Sequence, residues 1–324
     1  MEHDHLRTPQ IFLHADDLGL NRCVTDGILA GFTEGLLTST SVLANAPAFE
    51  YAVSRWKRLE QERVSGCLAS AAKRQLLNDD GTCPFDLGVH LNLTQGRPLT
   101  PAFPKELLDD TGRFPGVGRI FAQLFWRADR WREAIHRELS AQIERVLDNG
   151  LKPTHFNGHQ YVELMPGVAE IILQLAERFQ IRVVRVAFER RVATAFCGNP
   201  RPISNWCLAH VKHCFAGQFR KRMAHGPLHH ADQFCGTAHA GHVSLNVLRK
   251  FVVGLPRHAS LEIGLHPGME PTEIDLPATA AGWFDPLANL RPQELAMLQS
   301  PHTAQVLASE RLCLSRLANL SRPD

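Results

Sequence analysis

QIFLHADDLGLN, residues 10–21, sets an apolar run, Ile11 to Leu13, directly against His14, Asp16 and Asp17. The run reads as a short buried strand. Two adjacent carboxylates at its end are costly to bury unless another group compensates their charge. Three more strand-like stretches end the same way: DLGVHLNLT (86–94), KPTHFNGHQ (152–160) and LEIGLHPG (261–268). Polar groups gathered past the C-terminal ends of strands are the signature of parallel βα architectures, whose loops converge on that face.

Between these strands lie amphipathic segments. DRWREAIHRELSAQIERVLDNG (129–150) predicts a helix with Asp129 as its cap, Gly150 as its close, and Ile135, Leu139, Ile143, Val146 and Leu147 as its apolar face. MPGVAEIILQLAERFQ (165–180) predicts a second helix leading into the strand-like IRVVRVAF (181–188), and a third begins at Ser244. The alternation predicts an α/β fold, in one domain over 1–324. The exception is an irregular insertion or lid near residues 188–242, rich in Gly, Pro, His and Cys.

With 324 residues, 44% of them hydrophobic, the chain can bury one large core. A formal net charge of +2 gives no global reason to expect nucleic acid as partner. The polar first ten residues and the lack of a long apolar stretch predict neither a signal peptide nor a transmembrane segment. Cysteines 23, 67, 83, 197, 207, 214, 235 and 313 show no paired spacing, so reduced thiols and a cytoplasmic location are expected.

Three ligands drawn from His and carboxylate, with one position left open, suit a water-activating divalent ion. Asp17, His90 and His159 can supply that set, with Asp16 free as a base and His266 as an acid. Each has a blander reading. An Asp-Asp pair is commonly a solvated turn, and a lone strand histidine is commonly structural. Neighbouring strand residues also point to opposite faces, so Asp16 and Asp17 share a site only where the strand breaks, and Gly19 is where a break is easy.

CLAHVKHC (207–214) spaces two cysteines and two histidines at helical intervals, but it matches no recognised finger, and a lid or substrate loop is the better expectation. The basic cluster Lys212, Arg220, Lys221 and Arg222, with Phe215 and Phe219 between, reads as a solvated helix face.

The motifs HADDLGLN, GLLTSTSVLAN, LGVHLNLTQGRPL, KPTHFNGHQ and EIGLHPG occur in the order seen in the YdjC-like carbohydrate deacetylases, and RPQELAMLQSP resembles that family's closing helix. The resemblance implies a distorted TIM-like (β/α) barrel that removes N-acetyl groups from an amino-sugar or glycolipid substrate. It also implies Asp16 as base, Asp17, His90 and His159 as metal ligands, and His266 as acid. The ion is zinc by first expectation, with Mg, Mn, Co or Fe compatible. His14, His155, Asn157 and Asn92 are expected behind the ligands or against substrate, with His155 or Asn157 orienting His159.

This chain departs from the family pattern at His14 and Leu18, where many members read NADDFG. It departs again at Asn157 and Tyr161, where chito-oligosaccharide members carry Asp and His. A non-catalytic sugar-binding barrel and a two-metal phosphoesterase are the competing classes. A homodimer is compatible with the pattern.

Overall fold

The computed structural model describes residues 8–65, 70–77, 83–189, 202–223, 226–272 and 281–321. Cys67, Cys197 and part of the 188–242 segment lie outside them.

Eight strands form one sheet, and every pairing is parallel: β1 (Gln10–Leu18), β2 (Ser39–Val42), β3 (Asp86–Leu91), β4 (His155–Gly158), β5 (Val183–Val184), β6 (Gln233–Cys235), β7 (Ser260–Leu265) and β8 (Cys313–Leu314). The order is β5-β4-β3-β2-β1-β7-β6, with β8 on the N-terminal end of β1. Parallel neighbours need long crossovers. These are filled by α1 (Arg22–Thr33), α2 (Phe49–Ser65), α3 (Ala71–Arg74), α4 (Val117–Asp148), α5 (Val168–Phe179), α6 (Pro202–Met223) and α7 (Leu245–Val252), with α8 (Arg291–Gln299) and α9 (Pro301–Ser309) after β7.

The sheet is curled into a half-barrel, the distorted TIM-like architecture expected. Its two edges are tied by one bridge, Val183 to His229, in the segment that leads into β6. Within 188–242 the described residues thus include a helix, α6, and the sheet's edge strand, β6. No described helix is long and apolar enough to cross a membrane.

Side-chain alternation sorts β1 into two faces. Ile11, Leu13 and Ala15 join the large core between sheet and helices, whereas Phe12 meets Val183, Ala231 and Leu317 in a separate small cluster. His14 and Asp16 share the inward face with Phe12 and meet residues of β2 and β4 and Arg185, just past β5. The barrel interior is therefore layered: apolar at the bottom, histidine-rich in the middle, ionic at the top. β2 shows the same sorting, since Ser39 and Ser41 contact His14 while Thr40 caps the Ala15 carbonyl. Gly88 on β3 leaves room for His155, whose ring would lie 2.4 Å from an added Cβ.

The helix expected at Asp129 begins at Val117 and kinks at Arg127, which has φ −144° and ψ 32°. Asp129 is therefore not a cap: it lies past the kink and pairs with Arg132 at 3.0 Å. The predicted apolar face is otherwise kept, with Ile135, Leu139, Ile143 and Val146 buried and Leu147 exposed.

Candidate metal and catalytic site

The ionic layer is built where β1 ends. Asp16 reaches it by ordinary alternation, and Asp17 reaches it because its own backbone turns left-handed, with φ 73°. The β1–β2 register shifts at the same place, between Ala15 and Leu18. The break thus falls on Asp17, ahead of Gly19 (φ 91°), and aspartate tolerates this region better than most residues.

Asp17, His90 and His159 come together from three strand ends, with one donor atom from each lying within 4.8 Å of the others. Asp17 Oδ1 is 2.9 Å from His159 Nδ1 and 3.4 Å from His90 Nε2. Asp17 Oδ2 accepts from Arg291 at 2.7 Å. His90 Nδ1 lies 2.9 Å from Asn157 Oδ1 and 3.2 Å from Ser41 Oγ, which leaves Nε2 turned toward Asp17. The Asn157 amide donates to Asp16 Oδ1 at 2.8 Å, and Arg185 donates to Asp16 Oδ2 at 2.7 Å. His266 Nε2 stands 3.8 Å from the same oxygen.

The remaining expected residues separate by layer. His14 lies beneath, between Ser39 and Ser41 at 3.0 and 3.2 Å, and 3.3 Å from Asp16. His155 packs edge-on against His14, with ring centroids 4.9 Å apart, and does not contact His159. Asn157 contacts His90 and Asp16 and not His159, because the β3–β4 register sets His90 opposite Asn157. Asn92 is spent on its own loop, accepting from Thr94 and Gln95 and donating to Asn45 and the Gln95 carbonyl. Through that loop it presents Gln95, whose Nε2 is 3.2 Å from His159 Nε2. Cys207 and Cys214 are exposed free thiols, so the CLAHVKHC run gathers no metal cluster among the described residues.

Sequence reasoning missed the two arginines that hold the carboxylates. Arg185, one residue past β5, bridges Asp16 and Glu262 at 2.7 Å each. Arg291, at the start of α8, bridges Asp17 and Asp285. The available signals were a lone arginine inside the apolar run IRVVRVAF and another opening RPQELAM. Glu294, also on α8, accepts from the His266 backbone N–H and so fixes that strand end.

Burial would raise Asp16, but the Arg185 charge overrides it and holds the carboxyl below its ordinary range. Asp17 is likewise raised by burial and pulled well below by Arg291 and by hydrogen bonds from His159 and His90. Burial lowers His90, yet the Asp16 and Asp17 charges win and leave it raised. Burial lowers His266 against the pull of the same two charges. The ion-paired set holds four carboxylates (Asp16, Asp17, Glu262, Asp285) against two guanidiniums, a formal deficit of two positive charges that a divalent ion would match. Two imidazoles and a carboxylate oxygen facing one point are a suitable donor set for it.

Above this layer opens a cavity of about 320 Å³, lined by Asp16, Asp17, His90, His159 and His266, with Tyr161, Lys212 and Phe284 toward its sides and mouth. Lys212, expected on a solvated face, instead sits over the Tyr161 ring at 4.0 Å, and burial lowers its pKa to about 8.

Fold and site together define an α/β half-barrel with an acid–imidazole cluster at the C-terminal ends of its strands. The chain belongs to the YdjC-like family, whose model matches residues 10–309. It is 34% identical to the carbohydrate deacetylase of Geobacillus stearothermophilus over 184 residues, 56% of this chain and 62% of that protein. It is 30% identical to that of Vibrio cholerae over 173 residues, 53% of this chain and 57% of that protein. The matches thus span about 60% of these relatives' length. A crystal structure from Enterococcus faecalis V583, described as a cellobiose-phosphate cleavage protein, shares the fold with a TM-score of 0.69 at 18% identity, covering 97% of this chain and 100% of that one.

Proposed function

We propose that this protein is a metal-dependent hydrolase that removes N-acetyl groups from an amino-sugar-containing substrate, with one divalent ion, zinc by first expectation, held by Asp17, His90 and His159. The observation that carries the reading is the convergence of these three donors beside an independent carboxylate, Asp16, at the floor of an open cavity. The similarity to carbohydrate deacetylases supports the substrate class.

When bound, the ion supplies Lewis acidity, lowering the pKa of a water and polarising the acetyl carbonyl. Asp16, kept ionised by Arg185, accepts the proton of the attacking water. His266 is neutral at rest, because burial lowers its pKa, and is able to receive a proton from Asp16 Oδ2, 3.8 Å away, and pass it to the departing amine. Asn157 keeps base and ligand in register by bonding both Asp16 and His90. Within 188–242, Lys212 and Thr237 line the side of the cavity.

The test is metal content and acetate release on protein purified without chelator. Asp17→Ala is expected to lose the metal, whereas Asp16→Asn keeps it and loses turnover. Absence of metal even after reconstitution would favour a sugar-binding barrel without catalysis, and equal metal loss in both variants would refute the division of labour.

A further inference from the structure

α4 and α6 touch through Phe121 and Phe215, whose ring centroids are 5.5 Å apart. Phe121 also stacks on Phe125, and Phe125 meets Trp126 edge-on. Phe125 and Trp126 are nevertheless 54% and 80% exposed, because the kink at Arg127 ends the straight part of the helix just beyond them. On α6, Val211 lies one turn before Phe215, hence on the same face, and is 54% exposed, while Ile203 is 71% exposed. Exposed large apolar side chains around one contact, here Phe125, Trp126 and Val211 about the Phe121–Phe215 pair, mark an interaction surface.

The two helices themselves carry an excess of basic residues, while Asp129, Glu163 and Glu170 line the groove beside Phe125 and Phe215. Residues 117–132 hold Arg119, Arg127, Arg130 and Arg132 against the single Asp129, and residues 202–223 hold the buried Lys212 with Arg220, Lys221 and Arg222 and no carboxylate. Arg130 pairs with Glu106, Arg132 with Asp129 and Arg222 with Glu170. Arg119, Arg127 and Lys221 have no carboxylate partner among the described residues.

We propose that this face docks on an anionic lipid membrane surface, with Phe125 and Trp126 entering the headgroup layer and the basic side chains meeting lipid phosphates. The aliphatic tips of Val211 and Ile203 have a use in lipid and none against nucleic acid. A second copy of the chain would set the same arginines against one another. Val117, the first residue of α4, is part of the catalytic cavity's lining. Nine helical residues, about 14 Å, separate it from Trp126, so docking brings the cavity mouth to the headgroups. The proposal does not depend on the deacetylase reading.

The experiment is flotation of the full chain with vesicles of phosphatidylcholine alone and with vesicles enriched in phosphatidylglycerol, alongside light scattering to fix the oligomeric state. Binding is expected only to the anionic vesicles and should weaken with salt. It should fall about fivefold for each charge removed in Arg127→Gln and Lys221→Gln, and at least as far in the Phe125→Ser/Trp126→Ser pair. All four positions are exposed, so circular dichroism should stay unchanged. Equal binding of wild type and variants, no binding to either vesicle, or a dimer that the same substitutions dissociate would each overturn the proposal.

Discussion

His90 Nδ1 lies 2.9 Å from Asn157 Oδ1, the nearer of its two partners beside Ser41 Oγ at 3.2 Å, and these contacts leave Nε2 as the nitrogen free for a cation. Asn157 spends its amide on Asp16 as well, so a single side chain orients a proposed ligand and the proposed base. Asn157→Ala is therefore expected to lower metal affinity about 10- to 100-fold, while Asn157→Asp replaces the donor to Asp16 with a like charge and lowers turnover even at saturating metal. Chelator competition reads the first effect and acetate release under excess metal the second. Wild-type affinity in Asn157→Ala would show that the contact does not orient the ring.

Arg185 is the sole cation pairing with both Asp16 and Glu262 among the described residues. Arg185→Met strands both carboxylates in the barrel and should cost about 3–5 kcal/mol in urea unfolding. Arg185→Lys should recover only part of it, because a point charge cannot replace a fork spanning two acids. Asp16 has a folded pKa below its unfolded value, so its contribution is present above about pH 3.9 and lost as pH falls through the folded pKa. The gap between wild type and Arg185→Met should therefore narrow on acidification. A constant gap would assign the loss to packing.

The middle layer makes its own prediction about pH. Burial, then the Arg185 charge, lowers His155 to about 3, and burial lowers His14 well below the ordinary histidine range. The unfolded chain protonates both below about pH 6.5 while the folded chain does not. The stability contributed by these rings is thus complete above that pH; His155 takes away about 1.4 kcal/mol per pH unit as pH drops from about 6.5 toward 3, and His14 acts in the same direction. His90 acts in the opposite window: burial lowers it but the aspartates raise it further, so its contribution is full in acid and fades at higher pH. His155→Gln should make the acid slope shallower. Stability that stays flat between about pH 7 and 5 would show the rings to be protonated in the fold.

Gly27 of α1 faces the chain just after His266. A Cβ there would meet Gly268 Cα at 2.4 Å and Met269 N at 2.6 Å. Both are backbone atoms, so Gly27→Ala must displace the strand end itself, costing about 1–3 kcal/mol. Turnover should fall by up to about 100-fold through misplacement of His266, with metal content unchanged, since the proposed ligands stand on β1, β3 and just after β4. Loss of metal in step with turnover would point to general collapse.

The strand ends were readable because a polar residue standing immediately after an apolar run violates the pattern of a buried strand. His14, Asp16 and Asp17 announce themselves that way, as does His266 after Ile263–Leu265, whereas His90 interrupts its strand from within and His159 follows Asn157 and Gly158. Their partners do not. Arg185 follows a strand of only two residues, and Arg291 opens a helix, where an arginine is unremarked. Both matter only through contacts with residues far away in sequence, which no local periodicity carries. β6 escaped for a similar reason: Gln233–Cys235 is too short to alternate, and it exists as a strand because β7 pairs with it. The helical stretch from Val117 escaped because Asp129 offers a plausible cap, and the helical backbone is broken only two residues earlier, at Arg127.

The single bridge between Val183 and His229 makes the barrel wall unequal. β1 and β7 share six registered positions, whereas the seam rests on one bridge and its two backbone hydrogen bonds. Arg185, which keeps Asp16 charged, is the first residue beyond β5 at that seam. The weakest joint of the wall therefore carries the support of the proposed base, so breathing there disarms the chemistry while the remaining staves hold, and heat should silence this protein before it melts it.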